Sequence, residues 1–585
     1  MAAILKKKKA KSSDSEPPAK IQKLENVPDN FEKFLAKNLD SIGAAKLQDI
    51  KNRTKTAKKV EIKGIGASSI YEGLDEIEIP TTSSNLDLAE TGWNSNLIAN
   101  MTNILAETEV DQKKVKDIED SRSSTIDIVS RYIDLLEISD DQDGYRSIYC
   151  AHIISHLIKN RNTIIANKRK LEIDEASEDG ASEELIESCR DSGFVRPVVL
   201  ILCPFKKDAY DIIQKISSII YGDEKGEIWN KKRFEDEYSG PEEIPQSRVE
   251  YPPDHLELLK GNNDDAFRIG IALSKKVLKL YEKFDKADIL LCSPLGLRMI
   301  LNGDDGNESH LLSSTNIIIV DRADQMLQQN WENIQLIFSQ LFGQPAKIDV
   351  DISRVRKMYL DGYARHFSQI LLFSRFSHEL FTSLMVQNSG NHNGLIVARP
   401  KQEGTLKNIE IPLCQEIHKF QVTDPNEVSE ARFKYFVDKI VTSLTPRTVI
   451  VIPSYYDFVR IRNHFKKGEE SFVSCHEYAP RKKVDRAREM FFHERKSYLL
   501  VTERWYFFNR RQLTGVHRAV FYQLPSHPLF YSEFINMSDS DTKQRFLAVL
   551  LVCKFDRLRM ENTFGTEMAQ AILSNKQQVQ AIVSE

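Results

Sequence analysis

The stretch NIIIVDRADQML, Asn316 to Leu327, decides the fold of this chain. Its isoleucines and valine form a continuous apolar run, which is typical of a strand buried on both faces of a sheet. The run ends at Asp321, and Arg322, Ala323 and Asp324 follow. Apolar residues then recur at helical spacing. The stretch therefore predicts a central parallel strand that ends in charged side chains and leads into a helix.

The same strand-then-helix unit recurs along the chain on both sides of this stretch. Before it and after it stand RPVVLILCPF, ADILLCSP and YARHFSQILLFSRF, and a second array contains RTVIVIPSYYDF, SFVSCHEYA, KSYLLVTERWYF, VHRAVFYQLP and FLAVLLVCKFD. IDIVSRYIDLLE and RSIYCAHIISHLIKNRNTIIANK have the spacing of amphipathic helices. Apolar strands that alternate with helices predict two α/β domains built on parallel sheets.

The domain limits follow from shifts in composition. Residues 1–115 are polar, rich in Lys, Ser, Asp and Glu, and poorly periodic, which predicts a mostly disordered tail with a short helix at NFEKFLAKNL. The segment TGWNSNLIANMTNILAE has helical spacing and is expected to dock onto a partner or the core. We place the first domain at 116–425 and the second at 426–585.

Composition excludes several classes of protein. The 585 residues carry a formal net charge of −4, so any nucleic-acid binding must depend on local patches. The seven cysteines are isolated, which indicates reduced thiols in an intracellular protein and neither a zinc ribbon nor a disulfide framework. No apolar run of about 18 residues is long enough to span a membrane.

A basic cluster near the amino terminus has the composition of a nuclear import signal. Its members are Lys6, Lys7, Lys8, Lys9 and Lys11. The alternative is a solvated lysine run in a disordered tail.

The sequence has few of the residues that nucleotide binding and hydrolysis require. A phosphate-binding loop requires G-x-x-x-x-G-K-[ST], and none of the 24 glycines precedes a lysine. Asp321 could hold Mg²⁺ through water, but Arg322 cannot accept a proton and would repel the metal. Zinc-protease and serine-hydrolase motifs are missing too. We therefore predict no catalytic residue, cofactor, metal or small-molecule substrate.

Clusters of basic residues, one of them interleaved with aromatic residues, indicate RNA contact, because bases stack on aromatic planes and cations bind phosphates. The candidates are Lys231, Lys232, Arg233, Arg354, Arg356, Lys357, Arg460, Arg462, Arg504, Trp505, Tyr506, Arg510 and Arg511, with RKKVDRAR (Arg481 to Arg488) as a further patch. The alternative is that the aromatic residues belong to the core or to a protein interface, with arginines at the rim.

The strand ends, taken in order, are similar to the motifs of a DEAD-box helicase core. LILCPFKKDAYDI resembles motif Ia, CSPLGLRMIL motif Ib, VDRAD motif II, VIVIPSYYDFVRIRNHF motif IV and YLLVTER motif V. The likeness implies two RecA-like domains with a degenerate motif II of Asp321, Arg322, Ala323 and Asp324. In the segment YSEFINM, Glu533, Phe534 and Met537 stand where such helicases carry a histidine and two arginine fingers.

From about residue 120 onward, the chain resembles the digestive organ expansion factor family, the family of U3 small nucleolar RNA-associated protein 25. The segments that carry this resemblance include YCAHIISHLIKNR, NKKRF, DDAFRIGIAL, IIVDRADQMLQQNWENI, ISRVRKM, ARFKYFVDKI and FYQLPSHPLFYSEF. The resemblance implies a helicase-like pseudoenzyme of the nucleolar small-subunit processome, required for the pre-rRNA cleavages that yield 18S rRNA. Its implied partners are pre-rRNA or small nucleolar RNA and other processome proteins.

We therefore expect a non-catalytic scaffold that binds RNA and processome proteins in the nucleolus. Two alternatives remain open on the sequence. One is a residual ATP-dependent RNA helicase with a non-standard phosphate site. The other is an adaptor that binds only proteins, with its aromatic patches docking peptides in place of bases.

Overall fold

The structure is a computed structural model. It describes residues 29–584 apart from 38, 40–41, 43, 53–55, 80–87, 109–114, 176–181, 225, 242–250, 275–276, 303–307, 346–347, 349 and 539–544. Within these ranges the protein is mixed α/β and has two large sheets. None of its helices there combines the length and the apolar character that crossing a bilayer requires.

The first sheet has eleven strands within the described residues. In chain order they are β1 (Lys58–Ile62), β2 (Gly66–Tyr71), β3 (Asp134–Ile138), β4 (Val199–Leu202), β5 (Glu227–Trp229), β6 (Arg268–Leu273), β7 (Val277–Glu282), β8 (Ile289–Cys292), β9 (Ile317–Val320), β10 (Gln369–Ser374) and β11 (Leu395–Ala398). Their spatial order is β1-β2-β11-β3-β10-β9-β4-β8-β6-β7-β5. The six strands from β11 to β8 in that order run parallel, so their carboxyl ends meet at one edge.

Helices connect and flank these strands. They are α1 (Asn30–Leu35), α2 (Ala44–Asn52), α3 (Ser95–Glu107), α4 (Val115–Ser130), α5 (Gln142–Glu175), α6 (Glu183–Ser188), α7 (Lys206–Tyr221), α8 (Lys231–Tyr238), α9 (Pro253–Leu259), α10 (Pro294–Leu301), α11 (Ala323–Met326), α12 (Trp331–Gln340), α13 (Lys357–Leu360) and α14 (Glu379–Asn388). We call residues 29–398 the first lobe.

The second lobe, residues 413–584, is built on a seven-stranded sheet of order β14-β15-β13-β16-β17-β12-β18. Its elements are β12 (Leu413–Lys419), α15 (Val428–Tyr435), β13 (Thr448–Ile452), α16 (Tyr455–Lys467), β14 (Phe472–Cys475), α17 (Arg481–Phe492), β15 (Tyr498–Thr502), α18 (Glu503–Asn509), β16 (Arg518–Phe521), α19 (Leu529–Asn536), β17 (Phe546–Val552), α20 (Arg557–Phe564), α21 (Thr566–Ser574) and β18 (Val579–Ser584). All pairs are parallel except β12 with β18.

The continuous apolar runs form strands because successive side chains enter two different cores. In β4, Val199 and Ile201 pack on one face of the sheet, and Leu200 and Leu202 pack on the other. β13 divides its side chains between the two cores of the second lobe in the same way. Because both faces are covered, these strands are almost wholly apolar, and the one polar residue in them is Thr448 at the start of β13. The predicted pair of RecA-like parallel sheets is confirmed.

The amino-terminal region differs from the prediction of a mostly disordered tail up to residue 115. Residues 58–71 form the hairpin of β1 and β2, and β2 pairs antiparallel with β11 to extend the first sheet. Trp93 on the approach to α3 and Met101 within it are buried in the main core. The helix predicted at NFEKFLAKNL is present as α1, and Phe31 and Phe34 are buried. The tail prediction was therefore wrong for these described segments, because a polar hairpin needs only one apolar face when it covers a sheet edge.

Two further expectations also need correction. IDIVSRYIDLLE does not form one helix, because α4 ends at Ser130, Tyr132 takes a left-handed conformation with φ 57°, and β3 follows at Asp134. Along the chain, the last strand of the first sheet ends at Ala398 and the first strand of the second sheet begins at Leu413. The break between the lobes therefore comes before the expected boundary at residue 425.

Candidate functional site

The carboxyl ends of β4 and β9 and the start of α5 meet around a buried arginine. Arg146, one turn into α5, donates from Nη2 to Asp208 Oδ1 at 2.6 Å and to Asp321 Oδ2 at 2.7 Å, and from Nε to Asp321 Oδ2 at 2.9 Å. Asp208 lies in the first turn of α7, which follows β4, and Asp321 follows β9 directly. All three side chains are less than 5% exposed. Asp321, the predicted functional end of the strand, is therefore held by an arginine of the same lobe.

Arg322 extends this cluster of charges. It has a left-handed backbone with φ 54°, and its buried guanidinium lies 3.4 Å from Asp208 Oδ1 and 2.9 Å from Glu257 Oε1 of α9. Glu257 in turn binds Arg375 at 2.8 Å. Three arginines thus face three carboxylates, and we call these six residues the arginine–carboxylate cluster. Its charges sum to zero.

Electrostatics holds Asp208 in its charged form. Burial raises the pKa of its carboxyl, but the guanidiniums of Arg146 and Arg322 lower that pKa by more, so it lies below its usual value. The neighbouring Asp324 is also buried, and there burial outweighs Arg322 and Arg375 and raises the pKa. Asp324 accepts a bond from the Arg375 backbone at 3.4 Å, so the whole degenerate motif II lies in or against the cluster.

The connection from β3 to α5 stands where a phosphate-binding loop follows the first strand of a nucleotide-binding domain. It consists of Ser139, Asp140 and Asp141. Asp141 accepts two bonds from Arg122, at 2.6 and 2.9 Å. Phosphates are bound by backbone amides and cations, and two carboxylates in this short connection repel them.

This arrangement is suited to holding the lobe together. Asp321 Oδ2 is already bonded twice, and Arg322 has no acceptor atom with which to activate a water molecule. Arg146, Asp208 and Asp321 were taken out of water on folding, as was Arg322. Removal of one partner among them would leave an uncompensated buried charge.

Sequence reasoning located Asp321 and Arg322 but missed Arg146, Asp208 and Glu257. The available signal was an arginine one turn into the helix that follows the first central strand. The sequence does not reveal that signal, because the spacing of IDIVSRYIDLLE predicts a helix over the residues that form β3.

The two lobes are joined by a second set of buried polar contacts. Glu503, which begins α18, accepts a bond from Gln328 Nε2 of the first lobe at 2.9 Å. It also accepts bonds from the backbone amides of Ser526 and His527 at 3.0 and 2.9 Å. Gln328 lies just after α11, so this contact starts within a few residues of motif II.

Arg510 makes a buried charge contact between the lobes. Its Nη2 lies 2.7 Å from Asp254 Oδ2 of α9 and 2.5 Å from Glu533 Oε1 of α19. Glu533 is one of the residues that replace the expected histidine and arginine fingers, and here it binds an arginine from its own lobe. Arg559 of α20 also reaches across, to Glu379 of the first lobe at 2.8 Å. We call Arg510, Arg559, Glu503 and their partners the interlobe contacts.

Three of the predicted RNA-binding residues are buried. Trp505, Tyr506 and Arg510 are 3%, 2% and 4% exposed. The two aromatic rings belong to a core of the second lobe, and Tyr506 donates to Glu533 at 2.6 Å. The prediction that they stack on bases is corrected, because α18 turns them inward. The alternative that the aromatic residues belong to the core fits them better, although Arg510 is buried with them and does not lie at the rim.

The remaining candidates lie on separate elements. Lys231 and Arg233 of α8 are exposed and paired within their own helix with Glu235 at 3.6 Å and Glu237 at 2.9 Å, and Lys232 beside them is exposed. Arg354 and Lys357 pair with Asp191 and Glu187 at 2.5 and 2.9 Å, and Arg356 donates to Asn160 at 3.0 Å. Arg460 pairs with Glu430, Arg462 lies 5.7 Å from the Phe458 ring, Arg511 pairs with Asp485 at 2.6 Å, and Arg504 is partly exposed. Their role in RNA binding stays a prediction.

The proposed import signal, Lys6 to Lys11, lies outside the described residues. Among those that are described, no group of three or more His, Cys, Asp and Glu side chains has the arrangement of a metal site.

Comparison with known proteins gives two matching domain models. Residues 129–396 match the "UTP25, NTP hydrolase-like domain" and residues 405–582 match the "Utp25, C-terminal domain". The first match covers the first lobe from residue 129 onward, and the second covers nearly all of the second lobe.

Similar proteins carry one name. The chain is 34% identical over 453 residues to the U3 small nucleolar RNA-associated protein 25 homolog of Mus musculus, a match that covers 75% of this chain and 58% of that protein. It is 31% identical over 576 residues to U3 small nucleolar RNA-associated protein 25 of Sclerotinia sclerotiorum, covering 94% and 76%. The matched part thus spans well under two thirds of the mouse protein's length.

Among solved structures, the yeast DEAD-box splicing factor Prp28 aligns over 88% of this chain and 89% of its own, at 14% identity and a TM-score of 0.31. The two domain models and the Sclerotinia relative decide the assignment. This chain belongs to the U3 small nucleolar RNA-associated protein 25 family.

Proposed function

We propose that this protein is a non-catalytic, helicase-like scaffold of the nucleolar small-subunit processome, where it binds RNA and neighbouring proteins during the processing of pre-rRNA to 18S rRNA. The name shared by its relatives connects that family with U3 small nucleolar RNA. A scaffold of this kind needs two stable lobes and exposed surfaces, and it needs no nucleotide.

The arginine–carboxylate cluster carries the non-catalytic part of the proposal. A magnesium nucleotide held by Asp321 would have to displace Arg146, which donates two bonds to that carboxylate. Displacement would leave Arg146 and Asp208 buried without their partners, at a cost of about 3–5 kcal/mol for each pair that breaks. The acidic connection between β3 and α5 adds repulsion of the phosphates.

The interlobe contacts support the scaffold part. In a nucleotide-driven motor, ligand binding closes the lobes and release opens them. Here Glu503 and Arg510 bridge the lobes through buried, charge-assisted bonds between protein side chains. A pair of lobes closed by its own side chains keeps its outer surfaces in a fixed arrangement, which suits the binding of several partners.

Nucleotide titration tests the proposal directly. Calorimetric titration of ATP–Mg²⁺ into the full chain is expected to give no binding heat. Tight binding that is lost in Asp321→Ala would establish a residual helicase site and overturn the non-catalytic proposal.

RNA crosslinking in cells tests the remaining part. We expect crosslinks to pre-rRNA or small nucleolar RNA at exposed basic residues of this chain, together with nucleolar localisation. A chain that enters the processome without any RNA crosslink would be an adaptor that binds only proteins.

A further inference from the structure

Two tyrosines stand out on the surface of the second lobe. Tyr456, in the first turn of α16, is 77% exposed, and Tyr478, between β14 and α17, is 66% exposed. Large aromatic side chains are seldom this exposed without a partner. The neighbouring Tyr455 is only partly buried and contacts Tyr478 edge to face, with ring centroids 4.7 Å apart. Tyr456 follows Tyr455 in the chain, so both exposed tyrosines lie beside this ring contact.

The fold explains why these rings meet. α16 follows β13 and α17 follows β14, and both strands run parallel to β15 between them. Helices that follow parallel strands begin at the same edge of the sheet. Glu477, next to Tyr478, accepts a bond from Thr502 at the end of β15 at 2.7 Å, which fixes the loop at this edge. Glu503, the next residue after Thr502, makes an interlobe contact.

Cations that form no ion pair within the described residues follow Tyr478 closely in the chain. Arg481, Lys482 and Lys483 form the first turn of α17, are all exposed, and form no ion pair within the described part of the chain. Farther along the same helix, Asp485 binds Arg511 at 2.6 Å and lies 4.0 Å from Arg488. Positive charge is thus partly neutralised in the middle of α17 and left open in its first turn, three to five residues after Tyr478. We call Tyr456, Tyr478, Arg481, Lys482 and Lys483 the tyrosine–cation surface.

We propose that the tyrosine–cation surface binds single-stranded RNA, with bases stacked on Tyr456 and Tyr478 and phosphates held by Arg481, Lys482 and Lys483. This inference rests on the proposed RNA-binding function. It names the binding site and restricts the ligand to single-stranded RNA. Unpaired bases offer π faces that match exposed aromatic rings, and the backbone supplies a negative charge per nucleotide. An acidic protein segment would match the cations, but single-stranded RNA offers both a π face and a negative charge in every nucleotide. Duplex RNA would hide its base faces inside the helix.

The test measures fluorescence anisotropy of a labelled oligouridine of about 15 nucleotides, a length within the range of single-strand binding sites, with the full chain. The double change Tyr456→Ala and Tyr478→Ala is expected to weaken binding about tenfold or more, because stacking of each base on an aromatic ring contributes substantially. Tyr456→Phe with Tyr478→Phe keeps both rings and should bind within about twofold of the natural chain. A duplex of the same length should bind more weakly than the single strand.

Charge reversal provides the second arm and its matched control. Arg481→Glu, Lys482→Glu and Lys483→Glu together should weaken binding steeply at low salt. Lys168→Glu, Arg169→Glu and Lys170→Glu change three consecutive exposed basic residues on α5 and should leave affinity unchanged. Circular dichroism of each variant checks that it is folded.

The outcomes separate the inference from the proposed function. If the natural chain binds no RNA, the RNA-binding part of the proposed function fails. If it binds RNA and the double alanine variant binds equally well, the tyrosine–cation surface is not the site and only the inference fails. An acidic peptide that displaces the RNA as well as unlabelled oligouridine does would identify a charge-only protein surface and also overturn the inference.

Discussion

The carboxyl edges of the two sheets place charged residues in opposite situations. At the edge of the first sheet, Arg146 and Arg322 are buried and bonded to Asp208, Asp321 and Glu257. At the carboxyl edge of the second sheet, Arg481, Lys482 and Lys483 at the start of α17 are exposed and have no ion-pair partner within the described residues. The carboxyl ends of the strands therefore carry a buried structural cluster at the centre of one sheet and exposed cations, open to a ligand, at the side of the other.

An arginine marks a structural site where carboxylates neutralise its charge, and it marks a candidate binding site where its charge is left without a partner. A buried ion pair gains little stability over an apolar pair of the same shape, but it penalises loss of one partner severely. An exposed cation costs almost nothing to keep and is available to a polyanion. Substitutions at the two edges should therefore affect different measurements.

The largest effect is expected at Arg146. Arg146→Met removes the cation that Asp208 and Asp321 share and should lower the free energy of unfolding by about 3–5 kcal/mol, measured by urea denaturation. The control Arg481→Met, at the other edge, should change it by less than about 0.5 kcal/mol. Adding Asp208→Asn and Asp321→Asn to Arg146→Met should recover part of the loss, because the buried charges go too. Equal unfolding midpoints for Arg146→Met and the natural chain would contradict the structural role of the cluster.

Arg510 and Arg511 repeat the comparison in two adjacent residues. Arg510 is buried between Asp254 and Glu533, whereas Arg511 pairs with Asp485 near the surface. Arg510→Met should cost about 2–3 kcal/mol, and Arg511→Met less than about 1 kcal/mol. Hydrogen-exchange mass spectrometry should show faster exchange in both α9 and α19 for Arg510→Met. Faster exchange confined to the second lobe would mean that Arg510 does not join the lobes.

Glu137 of β3 is a buried carboxylate that forms no ion pair within the described residues, and its pKa shifts accordingly. Burial raises its pKa well above the usual value, and the backbone amide of Ile138 opposes that shift only in part. Since the unfolded chain loses this proton first, near pH 4.3, the natural protein loses stability as pH rises above that value. Glu137→Gln should therefore be more stable at pH 7, by about 1–2 kcal/mol, and the gain should vanish below pH 4. Urea denaturation at both pH values would show whether the gain depends on pH.

The sequence predicted the central strands well for a physical reason. β4, β8 and β9 are covered on both faces, so their apolar runs are continuous and easy to recognise. β1, with the sequence KKVEI, is an edge strand with two exposed lysines at its start. Such a segment has the composition of a disordered tail, and only its pairing through β2 to β11 makes it a strand.

The site was predicted less completely, because its partners are distant in the chain. Arg146 and Asp321 are separated by 175 positions, and no local pattern indicates that they meet. Trp505 and Arg510 illustrate the other limit. Aromatic residues beside arginines have the same local sequence whether a helix turns them inward or outward, and α18 turns these inward. The exposed tyrosines at the start of α16 and before α17 became a candidate only when the fold placed them together.

The smallest expected effect is that of a single cation on the tyrosine–cation surface. Lys482→Met should change the free energy of unfolding by less than about 0.5 kcal/mol, because the side chain is exposed and makes no ion pair within the described residues. Its loss should still reduce the slope of log affinity for oligouridine against log salt concentration by about 0.7, the value for one phosphate contact on a single strand. Arg146→Met should give the reverse pattern, with lower stability and an unchanged slope at temperatures where it is folded. An unchanged slope for Lys482→Met would show that this residue does not contact RNA. The two edges would then differ only in how much their charged residues contribute to stability.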